Sequence, residues 1–154
     1  MIYQLVYSSP LGPIAIQETE GKISAVSFLT PVGGTLKETP LLKEAARQLD
    51  EYFAGTRRTF NLPLYIQGTP FQQKVWQALL TIPYGETRSY KQIAEQVGCP
   101  KGCRAVGMAN NKNKIGIIIP CHRVIGSDGA LTGYAGGLNF KKILLELERP
   151  SKIY

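Results

Sequence analysis

The sequence predicts a two-domain α/β protein: a small antiparallel sheet with one helix, then a mostly helical half containing a helix-turn-helix. Three observations predict it. Short runs rich in β-branched and aromatic residues fill the first thirty positions, separated by turn signals. Stretches with apolar residues at helical spacing then dominate, most of them beyond residue 68. The charge also splits between the halves. Residues 1–68 hold six Lys+Arg and six Asp+Glu, whereas residues 69–154 hold twelve against five and so carry the whole net charge of +7.

The segments "IYQLVYSS", "PIAIQETE" and "KISAVSFLT" read as strands, with "PLG" and "EG" as the turns between them. "PLLKEAARQLDEYFAG" places Leu41, Leu42, Ala45, Leu49, Tyr52 and Phe53 on one helical face, and Gly55 stops it. Residues 56–68, "TRRTFNLPLYIQG", lack a helical period and read as a partly extended linker. The expected domains are therefore 1–68 and 69–154.

Thr69 and Pro70 open the second half as N-cap and first-turn residue, with Phe71, Val75, Trp76, Leu79 and Leu80 facing inward. Ser89 and Gln92 form a capping box for the next helix, whose apolar face is Ile93, Ala94 and Val97 and whose stop is Gly98. After "CPKG" comes a short helix, "CRAVGMANN", which completes a helix-turn-helix outline. "NNKNK" reads as a polar loop, "IGIIIP" as a buried strand and "SDGALTGYAGG" as a glycine-rich loop. "NFKKILLELE" closes the chain as an amphipathic helix with Phe140, Ile143, Leu144 and Leu147 inward.

Composition narrows the class. At 154 residues and 44% apolar, the chain can build a core in one domain or two small ones. Its longest apolar run, Ile115 to Ile119, is too short to span a bilayer, and the N-terminus has no signal-peptide pattern, so no membrane association is expected. Three cysteines without a pairing pattern suggest a reducing compartment, the cytoplasm. A basic half is the electrostatic footprint of phosphate-backbone binding.

Chemistry concentrates at "IPCHRV". The single histidine, His122, lies between Cys121 and Arg123. A thiol becomes a nucleophile when a base or a nearby positive charge favours its thiolate. Neighbours on a regular strand point to opposite faces, so a Cys121–His122 partnership needs a bend or a bridging water, and Pro120 makes the bend plausible. The base needs an orienting carboxylate, for which Asp128, Glu146 and Glu148 are nearest in sequence. No metal centre is expected: Cys99-x3-Cys103 is loosely metal-like, but one histidine does not complete a structural zinc site, so both cysteines read as packing residues. In the second helix of the helix-turn-helix, Ala105, Val106 and Ala109 read as core and Arg104 as a solvated arginine.

"IPCHRVIGSDGALTGYAGG", preceded by "PFQQKVWQALLTIPYGETRSYKQIAEQVG" and "RAVGMANNKNKIG", resembles the signature of the O6-alkylguanine-DNA alkyltransferases, also called methylated-DNA–protein-cysteine methyltransferases. The resemblance runs from about Phe71 to Glu148. It implies a ribonuclease-H-like N-terminal domain and a winged-helix-like C-terminal domain whose helix-turn-helix docks in the minor groove of double-stranded DNA. An alkylated guanine would be flipped into the pocket. Cys121 would take the alkyl group permanently, once per molecule, without a cofactor, in a protein expected to be monomeric.

The resemblance also implies roles. His122 would act on Cys121 through a water, and Glu148 would orient His122. Tyr90 would hydrogen-bond the leaving guanine, and Asn113 would brace the turn before the active-site segment. The backbone of Val124 and Ala135 would read the guanine edge, Tyr134 would line the alkyl pocket, and Ser127 would meet a phosphate. Arg104 would fill the vacated base stack, with Ala105 and Gly107 beside it on the DNA-facing helix. Two other classes compete: a lesion-binding protein that transfers nothing, which Cys121 argues against, and a cysteine hydrolase using Cys121, His122 and Glu148, for which the sequence context is lacking.

Overall fold

The computed structural model describes residues 1–28, 33–129 and 138–149, with the backbone alone at Leu138. Contacts divide the chain into two units, Met1–Ile66 with Lys114–Ile118, and Gln67–Asn113 with Ile119–Tyr154. Residues 114–118, which the pattern of the sequence leaves in the second half, thus pack with the first unit.

In the first unit the three expected runs form β1 (Ile2–Ser9), β2 (Gly12–Thr19) and β3 (Lys22–Ser27). β1 and β2 make an antiparallel hairpin, pairing Ile2 with Thr19 at one end and Ser9 with Gly12 at the other. Gly12 sits at φ 110°, a conformation that a side chain resists. The sheet is mixed rather than antiparallel throughout. A two-residue β4 (Thr35–Leu36) pairs parallel to β1, giving the order β3-β2-β1-β4. Two exposed residues offer no alternation for sequence to reveal.

Helix α1 (Pro40–Phe53) packs on β1, β2 and β3. The Thr39 hydroxyl accepts the Leu42 N–H at 3.1 Å, which caps its start. Leu42, Ala45, Leu49 and Tyr52 are fully buried, as are Ile14, Ile16 and Ile23 of the strands beneath. The linker is extended where it runs along β3: Ile23 N–H donates to Pro63 O (2.8 Å) and Tyr65 N–H to Ile23 O (2.7 Å). Gln48 holds it further back, its amide donating to Asn61 O (3.1 Å) and accepting Asn61 N–H (2.9 Å).

"IGIIIP" is buried, as its composition predicts, but it is not a regular strand. Ile115 makes one bridge to Val26, and then Ile118 N–H turns back onto Gly116 O at 2.7 Å with Ile117 at φ 68°. That conformation costs a β-branched residue on the order of 1–3 kcal/mol. Complete burial of the Ile117 side chain holds it there. An apolar run records burial, not backbone direction, so the turn is invisible to periodicity.

The second unit begins with α2 (Pro70–Leu80). Thr69 and Gln72 form a reciprocal capping box, beyond the simple N-cap that the sequence suggests. Val75, Trp76, Ala78 and Leu79 are buried, whereas Leu80 is exposed. Trp76 Nε1–H donates to Ala109 O at 2.9 Å. Gly68 lies against its ring so closely that an added Cβ would stand 2.6 Å away.

Strand β5 (Arg88–Ser89) leads directly into α3 (Tyr90–Gln96), whose Ser89/Gln92 capping box is formed as predicted. Gly98 ends α3 at φ 80°. A tight turn closed by Gly102 N–H to Cys99 O (2.8 Å) leads to α4 (Cys103–Asn111). Val106 and Ala109 are buried as expected, but Ala105 is exposed. Cys99 and Cys103 are exposed too, so they are not packing residues: both fall on the solvent side of the turn.

A 3₁₀ turn at Cys121–Arg123 runs into β6 (Val124–Ile125), which pairs parallel with β5. Helix α5 (Leu138–Leu147) is rotated from its apolar reading: Leu144 is buried, but Ile143 is exposed, and Lys141 and Glu148 are buried with Leu144. Among the described residues no helix is long and apolar enough to cross a membrane.

Candidate active site

Pro120 makes the bend. At φ −80° and ψ 64° it forms an inverse γ-turn, closed by Cys121 N–H donating to Ile119 O at 2.7 Å. Arg123 N–H then donates to Pro120 O (3.0 Å) and Val124 N–H to Cys121 O, which winds residues 121–123 into one 3₁₀ turn. The turn breaks the alternation that would separate neighbours on a strand. Cys121, His122 and Arg123 are all buried.

Glu148 is the carboxylate that reaches this turn. His122 Nε2 donates to Glu148 Oε2 at 2.7 Å. Arg123 grips the same carboxylate with two bonds, Nε to Oε1 (2.8 Å) and Nη2 to Oε2 (3.0 Å), while its Nη1 donates to Ile82 O (2.7 Å). Asp128 and Glu146 are both exposed. Burial alone would push the Glu148 carboxyl up, but hydrogen bonds from His122 and Arg123 outweigh it and hold the pKa at about 2. Burial pulls His122 below its ordinary 6.5, against the pull of Glu148. The imidazole is therefore neutral, with its proton on Nε2 and a lone pair on Nδ1, which has no hydrogen-bond partner among the described residues.

A buried lysine completes the electrostatics. Lys141 is wholly buried, with Nζ 5.7 Å from the centre of the Tyr90 ring. Burial pulls its pKa down to about 8, partly offset by attraction to the Cys121 sulfur. Lys141 is thus a buried cation whose charge acts on the Cys121 sulfur, while Arg123 is bound to Glu148. Two asparagines tie the turn to α4 and its end. Asn113 Nδ2 donates to Ile119 O at 2.9 Å, and Asn110 Nδ2 to Cys121 O at 3.2 Å.

The remaining candidates are placed as follows. Tyr90 is half-buried at the start of α3, and a Cβ at Gly107 would meet its ring at 3.8 Å, so Gly107 faces Tyr90. Arg104 and Ala105 lie on the exposed side of α4. Val124 is buried with its N–H committed to Cys121 O. Ser127 is exposed in a turn closed by Gly129 N–H to Gly126 O (2.9 Å). Tyr134 and Ala135 lie outside the described residues. No cluster of metal-binding side chains occurs among the described residues.

Residues 2–66 match the 6-O-methylguanine DNA methyltransferase ribonuclease-like domain, and residues 70–150 match the DNA-binding domain of the same proteins. The chain belongs to the 6-O-methylguanine DNA methyltransferase family. It is 53% identical to the constitutive methylated-DNA–protein-cysteine methyltransferase of Bacillus subtilis, over 98% of each chain. It is 51% identical to the methylated-DNA–protein-cysteine methyltransferase of Methanosarcina barkeri, over 96% of this chain and 97% of that one. Its fold superposes on Mycobacterium tuberculosis OGT in complex with DNA with a TM-score of 0.87 at 48% identity, covering 96% and 92% of the two chains.

Within this family member, sequence reasoning left Lys141, Asn110 and Arg123 without roles. Lys141 and Glu148 are seven apart and so share a helical face, with Leu144 between them. That spacing was available in the sequence, but a lysine and a glutamate do not register as an inward face when only apolar residues are counted.

Proposed function

We propose that this chain carries out direct-reversal DNA repair, moving the alkyl group from O6-alkylguanine in DNA to Cys121 Sγ, once per molecule. The observation that carries the reading is the buried assembly of Cys121 beside a neutral His122 whose Nε2–H is held by an ionised Glu148 at 2.7 Å. Family membership supplies the substrate class, and the close relatives are named for this transfer.

The reaction balances on this chain's own groups. The Cys121 thiol gives its proton to His122 Nδ1, through a water, and the resulting imidazolium is stabilised by Glu148. Lys141, a cation below about pH 8, favours the thiolate. Sγ attacks the alkyl carbon, a C–S bond forms and the C–O6 bond breaks. Tyr90 donates a hydrogen bond to the guanine as negative charge develops on it, and the proton that the sulfur lost is returned to the base. Since the Val124 N–H is taken by Cys121 O, the Val124 carbonyl is the group that would accept the guanine amino group.

Delivery of the base falls to the second unit. We assign α3, the turn and α4 as a helix-turn-helix in a winged-helix-like domain, with α4 in the minor groove. Arg104 fills the stack behind the flipped guanine, and Ser127 meets a phosphate. The net charge of +7 in residues 69–154 favours the DNA backbone. Acceptor, base and carboxylate all come from one chain, so a monomer suffices.

The test uses a duplex carrying labelled O6-methylguanine. The expected outcome is a burst of label onto protein that stops at one per molecule, and Cys121→Ala that binds the duplex but acquires no label. Label that stays in tightly bound DNA would make the chain a lesion binder, and continued release beyond one equivalent would make it a hydrolase.

A further inference from the structure

We infer that Asn110 is a positioning residue for the acceptor: it holds the carbonyl of Cys121 from α4 and so couples the proposed DNA-docking helix to the reacting sulfur. The inference rests on the transfer reaction proposed above and extends it to a residue that touches neither base nor sulfur.

The peptide bond between Cys121 and His122 joins the acceptor to its base. Its oxygen sets ψ of one residue and φ of the other, and hence where the sulfur and the imidazole point. Among the described residues, two donors are seen to meet at that oxygen. One is the Val124 N–H of the 3₁₀ turn itself, and the other is Asn110 Nδ2 at 3.2 Å. The first bond is local and would follow any tilt of the turn. The second reaches across to another element and fixes the tilt.

Asn110 is an expensive residue for its position. It is 1% exposed, and its Oδ1 has no hydrogen-bond partner among the described residues. An apolar side chain of the same size would fill the space without leaving a buried acceptor unanswered. Packing therefore does not explain the amide, whereas the bond from Nδ2 does.

The same turn of α4 is fixed on its other side. Ala109 O accepts the Trp76 Nε1–H at 2.9 Å, which ties α4 to α2. Asn113, just past the helix, holds Ile119 O at 2.9 Å, so the carbonyls on either side of Pro120 are both held by asparagines from the end of α4. Arg104 and Met108, one helical turn apart, are exposed on α4. A helix that meets DNA through that side is thus linked by side-chain hydrogen bonds to the acceptor turn.

The test compares the parent with Asn110→Leu, which keeps the volume, and Asn110→Asp, which keeps the shape but replaces the donor with an acceptor. Transfer from the free base O6-methylguanine and from the same base in a duplex is measured per titrated Cys121, with duplex affinity and the pH profile of transfer alongside. The expected result for Asn110→Leu is a loss on the order of tenfold to a hundredfold in transfer from both substrates. Its duplex affinity and its pH midpoint stay as in the parent. Asn110→Asp should be slower still, because two oxygens then face each other. Transfer within about twofold of the parent in both variants, by the same yardstick, overturns the inference while leaving the proposed reaction standing. A parent that transfers nothing overturns both. The hydrogen bond is also tested without substitution, since the Asn110 side-chain amide protons of the parent should exchange slowly with solvent. Exchange at the rate of a free amide overturns the inference.

Discussion

In the proposed transfer the role of His122 depends on where its proton sits. The Nε2–H is committed to Glu148, so the lone pair on Nδ1 is the one left for the thiol. Glu148 stays ionised in a buried site because His122 supplies one hydrogen bond to it and Arg123 two. Arg123 is committed to that carboxylate, whereas Lys141 is a buried cation whose charge acts on the Cys121 sulfur. Exchanging Lys141 for Met should shift the pH midpoint of transfer upward and slow transfer at neutral pH by about tenfold, the equivalent of roughly one pKa unit on the thiol. Transfer measured from pH 5 to 9 checks this, and an unshifted midpoint would leave Lys141 a structural residue. Cys121, His122 and the three candidate carboxylates were legible in the sequence from residue type and proximity. Lys141 was not, because nothing in a lysine's neighbours announces that it is buried.

At the scale of elements, the helices with explicit caps were the most legible. Thr69-Pro70 and the Ser89/Gln92 box mark the starts of α2 and α3, and both form as hydrogen-bonded caps. The failures share one cause. Apolar pattern reports burial without geometry, so "IGIIIP" reads as a strand when it is a bridge followed by a strained turn at Ile117. The buried side of α5 likewise departs from its apolar pattern, because it mixes Leu144 with Lys141, and the buried Glu148 follows just past its end. α4 shows the converse: its small residues suggest core, but Ala105 is exposed with Arg104 beside it. Under the proposed docking, Arg104→Ala should slow transfer from duplex DNA on the order of tenfold, because base extrusion costs a few kcal/mol that the arginine helps to offset. Transfer from the free base should be unchanged, and equal slowing of both substrates would remove the finger role.

For the whole molecule, the buried charges make stability depend on pH in a definite direction. His122 is depressed below 6.5 and Glu148 is held at about 2 against an ordinary 4.5, so in acid the unfolded chain binds more protons than the folded one. Stability therefore falls as pH drops through 6.5 towards 2. Lys141 acts in the opposite window. Its pKa is about 8 when folded and 10.5 when unfolded, so its burial costs up to about 3 kcal/mol at neutral pH, a cost relieved as pH rises from 8 to 10.5. Urea unfolding across pH should show both limbs, and Lys141→Met should flatten the alkaline one. The division of charge between the halves was fully legible in the sequence, as was the change from sheet to helices. The return of residues 114–118 to the first unit was not, since a five-residue excursion leaves no compositional mark.

Whether Cys121 keeps the alkyl group is read by peptide mass spectrometry after repair. The chain is mixed with an excess of duplex bearing O6-methylguanine until reaction stops, then digested. The expected result is one methyl group on the peptide containing Cys121, none on those containing Cys99 or Cys103, and one guanine restored for each modified protein. An unmodified Cys121 alongside restored guanine would contradict it.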